Sequence, residues 1–208
     1  MPRKNLVRSD SLPYHVTARA NNREAFFLDL PRLWELLGTQ CLFLNTVYKV
    51  EFHAVVLMPN HIHMILTVPE FDLGLVMNDF MRSISRRSNL KTGRTGHVFG
   101  GPYFWSLVQS SRYFSHVLKY VYRNPVRANL CEKVEDYPYS TLRGLVGAAH
   151  LPVPIHYTRS ELELFLPAFE GQQQLLWLNT PFSTEVEEQI KKGLRRKLFE
   201  PKKGTDYL

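Results

Sequence analysis

The sequence predicts an α+β fold: a ferredoxin-like split βαβ antiparallel sheet with helices on one face, followed by an added C-terminal helix and a helical C-terminal extension. Three observations carry this. Short runs rich in β-branched and aromatic residues recur before residue 110. Two segments between them carry apolar residues at helical spacing. The resulting order is strand, helix, strand, strand, helix, strand, helix.

Tyr14-His15-Val16-Thr17-Ala18-Arg19-Ala20 alternates and is β-prone, so it forms the first strand. Asn21-Asn22-Arg23 is a turn. Asp29 caps a helix from Leu30, with Pro31 tolerated in its first turn. Leu33, Leu36, Leu37, Cys41 and Leu44 give that helix its apolar face, and Trp34 belongs to the core. The runs Phe52 to Met58 and Met64 to Val68 are two strands, broken by Pro59-Asn60 as a turn breaks them. A second helix runs from Leu73 to Asn89 on the stripe Leu73, Val76, Met77, Phe80 and Ile84. Lys91 to Gly96 reads as a flexible basic loop, Tyr103 to Gln109 as the fourth strand. The third helix runs from Ser111 to Arg123 and stops near Pro125, since the residue before proline disfavours helix.

Residues 126–150 read as a wrap with turns. Ser160 caps a short helix, Glu161 to Phe169, ended by Gly171. A last helix opens at Thr184 with acids first and Lys191 to Lys197 last, which suits the helix dipole. The division expected is a mobile basic arm over 1–12, one domain over 13–148 and a basic helical extension over 149–208, with the last few residues disordered.

A chain of 208 residues can bury a proper core. No apolar run is long enough to span a bilayer, so no membrane partner is expected. The start carries charge without a following apolar stretch, so no signal peptide is expected. Cys41 and Cys131 lie far apart, which argues for a reduced cytoplasmic protein and against a thiolate zinc site. The net charge of +7 favours a polyanionic partner. Its distribution says more. From Phe80 to Cys131 there is no Asp or Glu, yet the window holds Arg82, Arg86, Arg87, Lys91, Arg94, Arg112, Lys119, Arg123 and Arg127. That is the pattern of a phosphate-facing patch. Phe99, Tyr103, Phe104, Trp105, Tyr113, Phe114, Tyr120 and Tyr122 lie among these cations. Aromatic faces beside cations suit single-stranded nucleic acid, although at least half of these rings are expected in the core.

His61-Ile62-His63 opens the third strand. Residues i and i+2 of a strand share a face, so the two imidazoles project together. They form half of a divalent-metal site or a hydrogen-bonded pair. Downstream, Tyr120 and Asn124 are i and i+4 on the third helix and share its face. If that helix packs beside the histidine strand, the Asn124 carbonyl oxygen is a third ligand and Tyr120 lies one turn away. Two imidazoles and an amide oxygen suit Mg2+ or Mn2+. Such a metal polarises a scissile phosphate, and the Tyr120 phenolate attacks it. Tyr113 and Tyr122 are rival nucleophiles, but Tyr122 points about 200° around the helix from Tyr120. His116, one turn before Tyr120, reads as a packed or exposed helix histidine, with a role as base the lesser alternative. His15, His53 and His97 read as structural or surface residues.

His61-Ile62-His63 resembles the HUH motif of single-strand DNA nucleases. Taken with Met58-Pro59-Asn60 before it and Tyr120-x-x-x-Asn124-Pro125-Val126-Arg127 after it, the chain resembles the single-tyrosine HUH transposases, most of all the REP-associated tyrosine transposases of bacteria. Tyr14 to Thr17, Arg19, Asn21-Asn22-Arg23 and Tyr137-Pro138-Tyr139-Ser140 extend the resemblance over residues 10–145. Ala20 departs from the family, whose members often have glycine there.

That resemblance implies metal-dependent cleavage and rejoining of single-stranded DNA near REP-like hairpins, with Tyr120 left on a 5′ phosphate. His61, His63 and Asn124 would hold the metal. Arg19, Arg23, Arg82, Arg86, Arg87, Lys91, Arg94, Arg123 and Arg127 would contact DNA, in a nucleoid-associated protein. A monomer is favoured over a homodimer because the extension would cover the surface a dimer uses. Two other readings remain: a domesticated hairpin-DNA binder, and a metal phosphodiesterase that uses activated water.

Overall fold

The computed structural model describes residues 6–156 and 172–199. The expected helix over 161–169, its Ser160 cap and the chain's last residues fall outside these.

The elements are β1 (Tyr14–Arg19), α1 (Leu30–Tyr48), β2 (Glu51–Met58), β3 (His61–Thr67), α2 (Leu73–Thr92), β4 (Phe104–Val108), α3 (Ser111–Arg127), α4 (Thr141–Leu145), α5 (Gln172–Asn179), α6 (Thr184–Gly193) and β5 (Leu198–Phe199). Short 3-10 turns cover Asn21–Arg23 and Val134–Asp136. The sheet order is β2-β3-β1-β4-β5. Its first four strands are antiparallel, in the ferredoxin-like arrangement, and β5 joins β4 in parallel.

Period-2 alternation divides the sheet's side chains between two cores. Val16, Ala18, Leu57, Ile62, Met64 and Leu66 meet α1 and α2 on one face. Ala54, Val56, Met58, Ile65 and Val108 meet α3 and the extension on the other. A bulge between Phe52 and Ala54 re-phases β2, so Phe52 and Val55 share a face. His53 sits at that bulge, buried, with Nε2 bonded to the Thr67 hydroxyl (2.8 Å) and Nδ1 to the His156 carbonyl (2.8 Å).

Helix ends follow local chemistry. Asp29 Oδ1 accepts from Arg32 N at 3.0 Å, and Ser110 Oγ accepts from Tyr113 N at 3.3 Å. Helix α2 runs three residues past Asn89, so Lys91 and Thr92 are helical rather than loop. It stops at Gly93, whose φ of 64° is the left-handed cap that glycine adopts without strain. Helix α3 passes through Pro125 instead of stopping before it. Proline removes the N–H that would bond the Val121 carbonyl. The Asn124 side chain fills in: Nδ2 donates to Tyr120 O at 2.8 Å and reaches Val121 O at 3.4 Å. Residues 6–12, expected within a mobile arm, pack on the core through Leu6, Val7 and Leu12, with Arg8 paired to Asp72 at 2.8 Å.

The β2 edge is covered by the segment after α3. Leu57 N donates to Tyr139 O (2.9 Å), Tyr137 OH to Leu57 O (2.8 Å) and His156 N to Phe52 O (2.8 Å). Thr141 Oγ1 accepts from Val55 N (3.0 Å), donates to Val55 O (3.3 Å) and meets Tyr122 OH at 3.1 Å. Replacing Thr141 with Val keeps the shape and strands the Val55 N–H. Urea denaturation should show a loss of about 1–3 kcal/mol; an unchanged midpoint would mean this edge bond contributes nothing.

Candidate active site

β1 and β3 pair so that Thr17 lies opposite His63 and Arg19 opposite His61. All four share the sheet face that α3 covers. The His61 and His63 rings stand edge to face, centroids 4.8 Å apart. Helix α3 brings the Tyr120 ring edge-on to His63 at 6.1 Å and to His15 at 6.4 Å. Asn124 follows one turn later on the same helical face, almost buried. Arg127 places its guanidinium carbon 5.4 Å from the centre of the Tyr120 ring.

The hydrogen bonds of Asn60 assign the His61 ring proton. Asn60 Nδ2 donates to Arg23 O at 2.9 Å, so Asn60 Oδ1 faces His61. His61 Nδ1 lies 2.6 Å from that acceptor and therefore carries the hydrogen. Its Nε2 keeps a lone pair. His63 Nδ1 lies 3.0 Å from His15 Nε2 and 3.1 Å from Thr17 Oγ1. Both partners can accept a hydrogen from His63 Nδ1, and in that tautomer His63 Nε2 also keeps its lone pair. Asn124 spends Nδ2 on the helix backbone and keeps Oδ1. Among the described residues no group of three or more His, Cys, Asp or Glu is arranged to hold a metal ion, so any site here rests on these two imidazoles and the amide oxygen. Two neutral imidazoles and one amide oxygen fit a divalent cation with open positions better than a closed zinc site.

Burial keeps the imidazoles neutral, as ligands must be. His15 is pushed down to about 3, with His61 adding to the effect of burial. His61 is lowered to about 4 by burial and then by Arg19. His63 falls well below its ordinary value, mainly from burial and then from His15, His61, Arg19 and Arg127.

The family model described as "Transposase IS200 like" matches residues 8–124. The chain belongs to the IS200-like transposase family. The REP-associated tyrosine transposase of Escherichia coli is 32% identical over 132 residues, covering 57% of this chain and 74% of that protein. A protein of Haemophilus influenzae named for the same group is 26% identical over 116 residues, 50% of this chain and 66% of its own. The solved structure of a REP-associated tyrosine transposase bound to a REP hairpin shares the fold. Its TM-score is 0.59 at 21% identity, and the match covers 77% of this chain and 96% of that one.

This transposase-family chain distributes its expected DNA-contacting cations unevenly. Arg19 and Arg23 are exposed at the histidine end of β1. Arg82, Arg86 and Arg87 are exposed on α2, which packs on the opposite sheet face, and Arg82 pairs with Asp79 at 3.5 Å. Lys91 in the last turn of α2 and Arg94 just after its Gly93 cap are exposed, and Arg94 stacks 3.4 Å over Phe27. Arg123 corrects the expectation. It is 7% exposed and donates to the Leu178 and Asn179 carbonyls at the end of α5, so it holds the extension and not a phosphate. Arg127 pairs with Glu187 of α6 at 2.5 Å. The window without acids in sequence therefore acquires one in space.

Three further residues find their places in the structure. His15 is not merely structural, since it bonds and stacks on His63 at 5.2 Å between centroids. The signal was available, because His15, Thr17 and Arg19 alternate onto one face of β1, but the pairing of β1 with β3 was not in the sequence pattern. His116 is buried and stacks on Phe182 of the extension. Tyr122 is buried, with its hydroxyl on Thr141.

The depressed imidazoles fix a sign for stability. Unfolded histidines take protons near pH 6.5, while folded His61 and His15 resist until about 4 and 3. The unfolded state therefore gains protons as pH falls below about 6.5, and stability drops towards pH 4. The slope approaches about 1.4 kcal/mol per pH unit for each such histidine. Urea midpoints from pH 7 to 5 should fall, and His61→Ala should fall less steeply. Parallel curves would contradict the lowered His61 value.

Proposed function

We propose that this transposase-like DNA-binding protein is a single-strand DNA endonuclease and strand transferase, with Tyr120 as nucleophile and hairpin-flanked DNA as substrate. One observation carries the reading: Tyr120 lies beside His63, with His61 and the Asn124 amide on the same face. His61 Nε2, His63 Nε2 and Asn124 Oδ1 would hold Mg2+ or Mn2+. When bound, the metal supplies charge that polarises and orients the scissile phosphate. The phenolate oxygen of Tyr120 attacks phosphorus. A Tyr120 O–P bond forms, the P–O3′ bond breaks, and the departing strand takes a proton as its 3′ hydroxyl. The 5′ phosphate stays on the tyrosine, so attack by a 3′ hydroxyl reverses the chemistry and reseals the strand. His15 and Thr17 would act behind His63, fixing its ring and its tautomer. Arg127 would steady the tyrosine ring through its cationic face contact.

The names of the relatives support tyrosine chemistry, and the structural relative solved with a REP hairpin supports a hairpin ligand. We also propose that the chain acts alone. The β2 edge is covered from within by residues 137–156, and on the other side the two-residue β5 pairs with Leu107 and Val108 of β4. An antiparallel edge-to-edge dimer would find the long β2 edge closed and only a two-residue strand at the other side.

The test of the chemistry is covalent trapping. Labelled single-stranded hairpins from the host's own repeats are mixed with protein and Mn2+ and run on a denaturing gel. Wild type should give a band at protein-plus-DNA mass, abolished by EDTA and by Tyr120→Phe, while Tyr120→Phe still binds the hairpin. Cut DNA without the adduct would instead indicate attack by water. For the single-chain reading, sedimentation at one chain mass is expected, and twice that mass would overturn it.

A further inference from the structure

Strand β4 opens with Phe104. Its backbone partner on β1 is Thr17, and Thr17 in turn lies opposite His63. Directly opposed residues of antiparallel strands share a face. Phe104, Thr17 and His63 therefore form one row across the sheet, on the side that carries Tyr120. Two strand spacings, about 9–10 Å, separate the Phe104 and His63 backbones.

The row is covered unevenly. Its neighbour one step along, His15 opposite Ser106, is buried. Val56, beyond His63, lies under α3. Phe104 is 70% exposed. Burying a phenylalanine is worth roughly 1.5–3 kcal/mol, so a phenylalanine left open beside the candidate active centre needs a reason. The Tyr120 ring on the same face is occupied, since it carries Arg127. Among the described residues no ring or cation covers Phe104.

Charge identifies the occupant. Arg19 stands diagonally from Phe104 on the same face and is exposed. The sequence around Phe104 lacks acids from Phe80 to Cys131. An open aromatic face with a cation beside it, continuous with a phosphate-handling centre, matches a base-plus-phosphate subsite for a single strand. A protein partner's apolar side chain would gain nothing from Arg19, and paired DNA would not offer a free base face.

We propose that Phe104 is a stacking platform for an unpaired nucleobase adjoining the scissile phosphate, with Arg19 on that nucleotide's backbone. The proposal rests on the reading of the chain as a single-strand nuclease and goes beyond it by naming a subsite. Stacking accepts any base, so Phe104 would contribute grip and strand path rather than sequence choice.

The experiment uses the full chain with a host-repeat hairpin bearing a single-stranded flank, in which one flank thymidine at a time is replaced by 5-iododeoxyuridine. Irradiation crosslinks the modified base to the ring it stacks on, and peptide mass spectrometry locates the crosslink. The expected result is a crosslink at Phe104 from one flank position next to the cut. Phe104→Ala should weaken binding of the flanked hairpin roughly five- to 150-fold, the equivalent of about 1–3 kcal/mol. Phe104→Trp should keep the affinity, and a hairpin without a flank should bind both variants as it binds wild type.

Equal affinity of Phe104→Ala for the flanked hairpin, crosslinks only elsewhere, or no binding of the flanked strand would overturn the subsite. The adduct assay separates the two readings. An adduct formed by wild type with unchanged Phe104→Ala binding removes the subsite alone. Flank binding that depends on Phe104 without any adduct removes the nuclease reading alone.

Discussion

The candidate site depends on the grip that holds α3 to the sheet. From the sheet side, Val121 and Tyr122 are buried, and the Tyr122 hydroxyl meets Thr141 at 3.1 Å. On the other side, Arg123 donates into the carbonyl end of α5, where a helix offers unpaired acceptors. Lys119 is buried between Trp177 and Phe182, its ammonium 4.6 and 4.7 Å from the ring centres. Burial and nearby Arg123 lower its pKa to about 8. Successive helix residues differ by about 100°. A rotation large enough to carry Tyr120 away from His63 would break the Tyr122, Arg123 and Lys119 contacts together. The nucleophile candidate is therefore positioned by residues that never approach it.

That arrangement gives the extension a physical place. Its α5 and α6 complete the core on the α3 face, with Leu178, Ile190 and Leu194 buried there. Glu187 of α6 also reaches Arg127, the cation lying over Tyr120, and shares its oxygen with Lys191 at 2.9 Å. Charge near the tyrosine is thus set partly by a carboxylate far away in sequence. Among the exposed cations, Arg19 lies opposite His61 at the end of β1, with Arg23 just beyond it.

Much of this was legible in the sequence, for identifiable reasons. Strand alternation and helical stripes report directly on burial, so β1 to β4, α1, α2 and the start of α3 fall close to where the pattern puts them. The shared faces of His61 with His63 and of Tyr120 with Asn124 follow from backbone periodicity alone. What stayed hidden depends on tertiary pairing. His15 gains its place only through the register of β1 against β3. Arg123 looks like a surface cation until α5 puts carbonyls against it. Glu187 cannot be joined to the acid-free window by any local rule. The short β5 has too few residues to show a period.

The Asn124-Pro125 pair obeys one sequence rule and breaks another. Proline inside a helix costs about 3 kcal/mol or more, from a lost hydrogen bond and a clash with the preceding turn. That argues for a helix end, yet α3 continues to Arg127. The side-chain amide of Asn124 satisfies carbonyls at the defect, donating to Tyr120 O at 2.8 Å and reaching Val121 O at 3.4 Å. The same bonds pin the amide's orientation. Nδ2 is committed to the backbone, so Oδ1 is the atom left to face outward from the helix. An asparagine on an unbroken helix could turn its amide either way. Here the shorter bond goes to Tyr120 O, and the Val121 carbonyl left free by the proline adds a longer contact that favours the same orientation. The pair thus couples the continuation of α3, which carries Arg127 to the tyrosine ring, to the presentation of the oxygen that we assign to the metal.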